Sequence, residues 1–148
     1  MIQQKIALPA SCFIAVVVLF SCKDVPTKPE SIAGNYEYVA YDSMGFPIVR
    51  GTLSFTKKDS IHIMGDWSLD TIGTPHNIGP QVGRGELEGS VYHDTTVIIN
   101  LNPQIADDNV FLSGRVHGIY IKGKWSFSTL VGETNKGTFV ARKLLLPL

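Results

Sequence analysis

Residues 49–69 read VRGTLSFTKKDSIHIMGDWSL, with apolar residues or glycine at every second position on both sides of a polar break. In the first half Leu53 and Phe55 alternate with polar neighbours, and in the second half Ile63 and Trp67 do the same. A period of two is typical of a β-strand with one buried face. The break, Lys-Lys-Asp-Ser, fits a tight turn. The stretch therefore predicts a β-hairpin with one apolar face.

The same period of two recurs along the rest of the chain, and no segment shows helical periodicity. We expect an all-β fold of about eight strands, formed by residues 34–148. One inner face per strand, repeated through the chain, favours a single up-and-down antiparallel barrel, because closure removes the exposed strand edges. A two-sheet β-sandwich is the alternative. The strand-like segments are residues 36–41, 49–56, 61–69, 86–91, 97–101, 112–117, 121–128 and 139–141.

Short and long connections alternate between these segments. Residues 57–60, 93–94 and 117–118 fit tight turns, whereas the intervening connections are longer. Alternate connections of an up-and-down barrel lie at opposite ends, so we expect one pinched end and one end ringed by loops. The apolar loop residues either cap the core or form a binding rim: Met44, Phe46, Ile78, Ile105, Leu130 and Val131. The long connections are residues 43–47, 70–84, 103–109 and 129–135.

The beginning of the chain differs from the rest. Residues 1–21 have Lys5 and then an apolar run at 6–20, which is shorter than a membrane-spanning helix requires. This pattern is typical of a signal peptide. Residues 23–31 contain two prolines and few apolar residues, which favours a tether.

The sequence Leu19-Phe20-Ser21-Cys22 resembles the lipobox of bacterial lipoproteins. That resemblance implies that Cys22 is lipidated and becomes the first residue, so that residues 22–33 form a lipidated tether. It also implies a cell-envelope protein held on the membrane by its lipid. The alternative is an ordinary cleaved signal or an uncleaved anchor, with Cys22 incidental. The residues after Cys22, Lys23-Asp24, are not the Asp-first retention signal of enteric bacteria, which favours the outer membrane where there are two.

The barrel segment resembles the calycins, the lipocalin-like and avidin-like small barrels. Gly34-Asn35-Tyr36 stands where lipocalins have G-x-W, with Tyr replacing Trp. Lipocalins also carry an Arg after the last strand, and Arg142 occupies that place. The resemblance implies that Arg142 stacks on Tyr36 and closes the pinched end. It implies binding of a small apolar molecule, although calycins also include inhibitors and assembly factors.

Composition and motifs narrow the function classes. Lys and Arg number 13 against 13 Asp and Glu, so the chain lacks the basic surplus that nucleic-acid binding needs. No catalytic or nucleotide-binding motif is present, and the histidines do not have metal-ligand spacing. We therefore expect no enzyme activity, no metal and no cofactor.

Two functions from different classes remain. In the first, the barrel holds a small apolar ligand, because the inferred lining is almost wholly apolar. In the second, side chains fill the core, and the loops bind another envelope protein as an inhibitor or assembly accessory. The candidate ligand-binding residues are Phe55, Trp67, Trp125 and Phe127 inside the barrel, with Phe46 and Ile78 at its rim.

Overall fold

A computed structural model describes residues 31–93 and 95–145 of the chain. The predicted signal peptide, Cys22 and most of the tether lie outside these residues. In the described ranges no helix is long and apolar enough to cross a membrane. The strands are β1 (Gly34–Tyr41), β2 (Pro47–Lys57), β3 (His62–Thr71), β4 (Gly83–Tyr92), β5 (Thr96–Asn100), β6 (Asn109–His117), β7 (Tyr120–Thr129) and β8 (Gly132–Lys143).

The eight strands form one closed antiparallel barrel in chain order, from β1 to β8. Each strand pairs with the next, and β8 pairs with β1 from Lys143 opposite Tyr36 to Thr138 opposite Tyr41. The predicted up-and-down barrel is confirmed, and the alternative of a two-sheet sandwich is wrong.

Alternation of side chains builds the core. Leu53 and Phe55 of β2 point inward, Ser54 between them is half-buried, and Thr52 and Thr56 on either side of the pair are exposed. The same alternation on every strand produces one apolar cluster that spans residues 32–141 and draws on all eight strands. The described barrel is therefore a complete folding unit with its own core. Its largest fully buried apolar side chains are Trp125, Tyr38, Phe139, Leu53, Ile63, Leu69, Leu87, Ile99, Leu101, Leu112 and Ile121.

Two inward-facing glycines allow close packing inside the wall. Gly65 of β3 lies opposite Phe55, and a Cβ at Gly65 would overlap the carbonyl oxygen of Ser54. Gly85 of β4 lies over the indole of Trp67, and a Cβ there would stand 2.8 Å from the ring. Glycine at these positions lets strands and an aromatic side chain approach more closely than any larger residue would allow.

The two ends of the barrel differ as predicted, with one exception. We call the end with connections 58–61, 93–95 and 118–119 the closed end, where β1 begins and β8 ends. The other end, the loop end, has connections 42–46, 72–82, 101–108 and 130–131. The predicted loop at residues 129–135 is wrong, because β7 and β8 continue as a hairpin whose turn is only Leu130 and Val131. Glu133 and Asn135 belong to that hairpin.

A carboxylate organises the first turn of the closed end. Asp59 Oδ1 accepts hydrogen bonds from the backbone N–H groups of His62, at 2.7 Å, and Ile61, at 2.8 Å. The His62 ring lies 2.7 Å from the other carboxylate oxygen. These backbone donors, foremost that of His62, hold the pKa of the Asp59 carboxyl well below its usual range. The tight turn predicted from the sequence is thus fixed by its own acidic residue.

Candidate binding site in the barrel wall

The barrel interior is filled by its own side chains. Leu53, Phe139 and Trp125 at the centre have at most 1% of their surface exposed. A cavity large enough for a ligand would leave the side chains around it accessible, so the packing here resembles an ordinary protein core. Of the two interpretations of the apolar lining, the structure favours the one in which the aromatics are core.

The four interior residues predicted to bind ligand lie in different parts of this core. Phe55 packs against Tyr36 near the closed end, with ring centroids 5.2 Å apart. Trp125 is fully buried, and its indole N–H donates to the carbonyl of Tyr41 at 2.8 Å. Phe127 is buried near the loop end. These three do not line a common pocket, whereas Trp67 lies at the edge of the core and lines a surface groove.

The loop end is covered by residues 72–82, which we call the cap loop. Ile78, predicted at the rim, is buried in the core cluster. A side chain at Gly79 would overlap the ring of Phe127, so the loop backbone lies directly on that ring. Gln81 is completely buried, and its amide donates to the Ile78 carbonyl at 2.7 Å. The cap loop therefore closes the barrel above the core.

Side-chain amides tie the cap loop to the β7–β8 hairpin. Asn77 Nδ2 donates to the Thr134 carbonyl at 3.2 Å, and Asn135 Nδ2 donates to the Asn77 carbonyl at 2.8 Å. On the other side Asn102 Nδ2 donates to the Pro80 carbonyl at 3.1 Å. The cap loop is thus held from two sides, which keeps the mouth of the barrel closed.

The expected stack of Arg142 on Tyr36 is replaced by a different arrangement. Tyr36 points into the core, and its hydroxyl donates to the Ile32 carbonyl at 2.9 Å. Arg142 lies opposite Glu37 and extends on the outer face, where its guanidinium is 2.8 Å from the Glu37 carboxylate. The strand residue opposite Tyr36 is Lys143. Because Tyr36 and Arg142 lie on opposite faces of the wall, the stack predicted from the resemblance is wrong.

The barrel wall has a gap beside β4. Only Glu88–Tyr92 of β4 pair with β5, so within the described strands residues 83–87 have no strand partner on that side. β5 ends at Asn100, where the chain bends away from β4 toward Pro103. The Trp67 side chain crosses beneath Gly85 and fills the gap from inside, with its indole N–H directed at the carbonyls of Glu86 and Leu101.

A groove of about 350 Å³, the side groove, lies over this gap. Its apolar side chains are Val82, Ile105 and two prolines, Pro80 and Pro103, and Trp67 forms its inner edge. Val82 and Ile105 are each 45% exposed, which leaves their apolar surfaces available to a bound molecule. This volume lies at the lower end of the range for small-molecule sites.

Polar groups line both sides of the side groove. Arg84 and Glu86 stand on its β4 side, and Asn102 and Gln104 stand on the opposite side. Asn102 Oδ1 is buried and has no hydrogen-bond partner among the described residues. An unpaired carbonyl oxygen of this kind can accept a hydrogen bond from a ligand. The sequence reasoning missed this groove except for Trp67, which it assigned to the interior.

A broader depression of about 570 Å³ crosses the outer face of β2, β3 and β4, and it shares Trp67 and Arg84 with the side groove. Hydroxyl side chains line much of it, and Asp66 lies directly opposite Glu86. Two facing carboxylates disfavour an apolar ligand, so we place the candidate site in the smaller groove. The described residues contain no group of three or more His, Cys, Asp or Glu side chains able to hold a metal ion.

Apolar side chains also project from two turns at the loop end. Leu130 and Val131, at the tip of the β7–β8 hairpin, are 85% and 91% exposed. The Leu130 backbone N–H donates to Asp107 Oδ1, which ties the tip to the β5–β6 connection. Met44 and Phe46, in the β1–β2 turn, are also exposed. Phe46 was predicted at the rim, and it lies exposed in the β1–β2 turn at the loop end.

No protein-family model matches the sequence, and no curated protein matches it. Among solved structures, the chain is similar to bradavidin2 in its complex with biotin, with 14% sequence identity and a TM-score of 0.49. The alignment covers 76% of this chain and 98% of the bradavidin2 chain. This chain is also similar to a redesigned β-barrel, with 12% identity, 76% and 91% covered, and a TM-score of 0.45. Likeness at this level says nothing about what this chain binds, and the fold rests on the strand pairing described above.

Proposed function

We propose that this protein is a lipid-anchored binding protein of the cell envelope that takes a small apolar molecule in the side groove. The observation that carries the proposal is the gap between β4 and β5, where Trp67 and the exposed side chains of Val82 and Ile105 form an apolar concavity. The binding site is placed in the wall because the interior is filled. Binding rather than catalysis is proposed, since no catalytic motif lies at the groove.

The anchor is supported by the sequence Leu19-Phe20-Ser21-Cys22 and by the tether that follows it. We propose that lipidated Cys22 holds the protein on the outer membrane where the source has two membranes. Replacing Cys22 by Ala removes the sulfur atom that would carry the thioether. We expect the Cys22→Ala protein to be released from membranes on fractionation, and retention on the membrane would contradict lipid anchoring.

Trp67 provides the test of ligand binding. Decanoic acid is a suitable apolar probe, and its entry into the side groove is expected to change the fluorescence of Trp67. Trp125 is fully buried elsewhere, so a Trp67→Phe variant reports whether the change comes from the groove. A saturable change that disappears in this variant supports the proposal.

Ile105→Asp tests the groove without disturbing the core, because Ile105 is exposed. A charge in the apolar concavity is expected to weaken decanoate binding at least tenfold, since a carboxylate must be desolvated there. The matched control is Leu130→Asp, which introduces the same charge at the tip of the β7–β8 hairpin. Equal affinity in all three proteins would place the probe outside the side groove and overturn this proposal.

A second candidate function rests on a separate observation, the exposed pair Leu130 and Val131 on a hairpin that is held by hydrogen bonds. Large exposed apolar residues on a rigid projection are typical of protein interaction sites. In this case the loop end binds another envelope protein. The Leu130→Asp and Ile105→Asp variants then exchange roles: Leu130→Asp abolishes capture of the partner after crosslinking in the membrane, whereas Ile105→Asp leaves it unchanged.

A further inference from the structure

The two ends of the barrel carry opposite net charge. Each end comprises its connections and the four residues of each strand that lie nearest to them. At the loop end, six acidic residues face two basic ones: Asp42, Asp70, Glu86, Asp107, Asp108 and Glu133 against Arg50 and Arg84. At the closed end the sign is reversed. In the described residues there, six basic side chains face two acidic ones: Lys57, Lys58, Arg115, Lys122, Arg142 and Lys143 against Glu37 and Asp59. Asp94 lies outside the described residues, and subtracting its charge as well would leave a basic surplus.

The ion pairs at the closed end do not neutralise this surplus. Arg142 is paired with Glu37, and Asp59 is bonded to His62 within its own turn. Lys57, Lys58 and Arg115 form no ion pair with any described residue. Their charges therefore act on whatever lies beyond the closed end.

Exposed aromatic and aliphatic side chains accompany these charges. Tyr92 ends β4 and Tyr120 begins β7, so both phenol rings are at the closed end. The Lys122 ammonium lies 5.2 Å from the centre of the Tyr120 ring. Ile61 projects from the first turn, and Leu144 and Leu145 follow β8 directly. Leu145 is 68% exposed, and the sequence continues with Leu146, Pro147 and Leu148.

The combination of exposed tyrosines, leucines and basic side chains matches the chemistry of a lipid bilayer surface. Tyrosines partition into the interface between lipid headgroups and acyl chains, because the ring is apolar and the hydroxyl stays hydrated. Leucines add buried apolar area, and Lys and Arg are attracted to anionic headgroups. An acidic protein would satisfy the basic residues but would not require the leucines beside them. A bilayer surface with anionic lipids satisfies both.

We propose that the closed end of the barrel rests on an anionic bilayer surface, with Tyr92, Tyr120, Leu144 and Leu145 at the headgroup level. The start of β1 is at this same end, so the tether and the proposed lipid on Cys22 would emerge toward the bilayer that the closed end contacts. The proposal goes beyond the anchor, since it assigns the barrel its own lipid contact. It also sets the orientation: the loop end points away from the membrane.

The test uses the chain from Lys23 onward, which lacks Cys22 and retains the complete barrel core described above. This protein is mixed with phosphatidylcholine vesicles, with or without about one third phosphatidylglycerol, and bound protein is separated by flotation. We expect binding to the anionic vesicles, weaker binding to neutral ones, and loss of binding as salt is raised. Absence of binding to anionic vesicles overturns the proposal, while Cys22→Ala fractionation tests the anchor separately.

Charge variants locate the contact. Lys57→Gln with Lys58→Gln is expected to lower the partition constant roughly 25-fold, about fivefold for each cation removed near the surface. The matched control is Lys124→Gln with Lys136→Gln, which removes the same charge from the side wall and is expected to have little effect. An equal loss of vesicle binding in both double variants would indicate attraction by overall charge only, and this result would overturn the end-on contact. Leu145→Gln is expected to weaken binding to the anionic vesicles at low salt, because it removes apolar area from the contact.

The orientation is measured with tryptophan reporters and brominated lipids. Tyr120→Trp is expected to be quenched by the vesicles, and Phe46→Trp at the loop end is not. Quenching of the Phe46→Trp reporter instead would show that the opposite end contacts the bilayer. Recovery of the barrel with a membrane protein but not with bare vesicles would also overturn the proposal, since the partner would then be a protein.

Discussion

Replacing Tyr38 tests the core, because this substitution is expected to raise the stability of the barrel rather than lower it. Its side chain is completely buried, and its hydroxyl has no hydrogen-bond partner among the described residues. The ring stacks on Phe139 with centroids 5.8 Å apart. Tyr36, two residues earlier on the same inner face, donates its hydroxyl to the Ile32 carbonyl. The two tyrosines therefore form a matched pair that differs in whether the hydroxyl is bonded.

Tyr38→Phe is expected to stabilise the barrel. An unpaired buried hydroxyl costs about 1–3 kcal/mol, and phenylalanine keeps the stack on Phe139 while losing one oxygen atom. Allowing for that lost packing, the gain is about 1–2 kcal/mol, or about 4–8 °C in Tm. Tyr36→Phe is expected to destabilise by about 1–2 kcal/mol, because it leaves the Ile32 carbonyl unpaired.

Urea denaturation of the chain from Lys23, followed by tryptophan fluorescence, measures both changes. A loss of stability in Tyr38→Phe equal to that in Tyr36→Phe would refute the reasoning, because it would mean that both hydroxyls are bonded. The pH dependence gives a second readout. Burial raises the pKa of Tyr38, so the folded protein loses stability as pH rises above about 10, where tyrosine ionises in the unfolded chain. This loss is expected to be smaller in Tyr38→Phe.

Three further predictions concern other parts of the barrel. Gly65→Ala places a methyl group against the Ser54 carbonyl oxygen and is expected to destabilise by about 2–3 kcal/mol in urea denaturation; an unchanged midpoint would contradict the close strand approach. Asn135→Ala removes a bond to the Asn77 carbonyl, so amide exchange in the cap loop should speed up while exchange in the strands stays constant. The pKa of Asp59 is lowered in the folded state, so the stability that its carboxylate contributes is present at neutral pH and lost under acid. Asp59→Asn is therefore expected to lower Tm at pH 7 and to flatten the fall in Tm below about pH 4.

Most of the fold follows from a pattern that the sequence displays directly. Alternation such as Leu53 and Phe55 against Thr52 specifies a strand and its inner face, and repetition of that pattern favours closure. The β7–β8 connection escaped prediction because residues 132–137 are polar or glycine, so no alternation marks the beginning of β8. Its strand character comes from pairing with β7, which local sequence does not report.

The candidate site was harder to predict than the fold. The side groove exists because β5 is short and turns away at Asn100, and the sequence carries only an indirect sign of this in Asn102 and Pro103. An apolar lining encloses either a cavity or a packed core, depending on how far the side-chain volumes fill the barrel interior. A pattern of residue types does not reveal that. The position of Arg142 could have been predicted correctly from the sequence. Phe139 and Ala141 point into the barrel, so strand alternation places the Arg142 side chain on the outer face.

The pairing of β1 with β8 also determines how the barrel responds to force. If the closed end rests on the membrane as proposed, both strands meet the membrane there, and a partner held at the loop end would pull in the opposite direction. The load then runs along the axis of β1, so its hydrogen bonds to β2 and β8 are sheared together. Pulling apart the two ends of the described chain would instead open the β1–β8 seam one bond at a time. The barrel is therefore expected to resist traction between membrane and partner better than traction between its own ends.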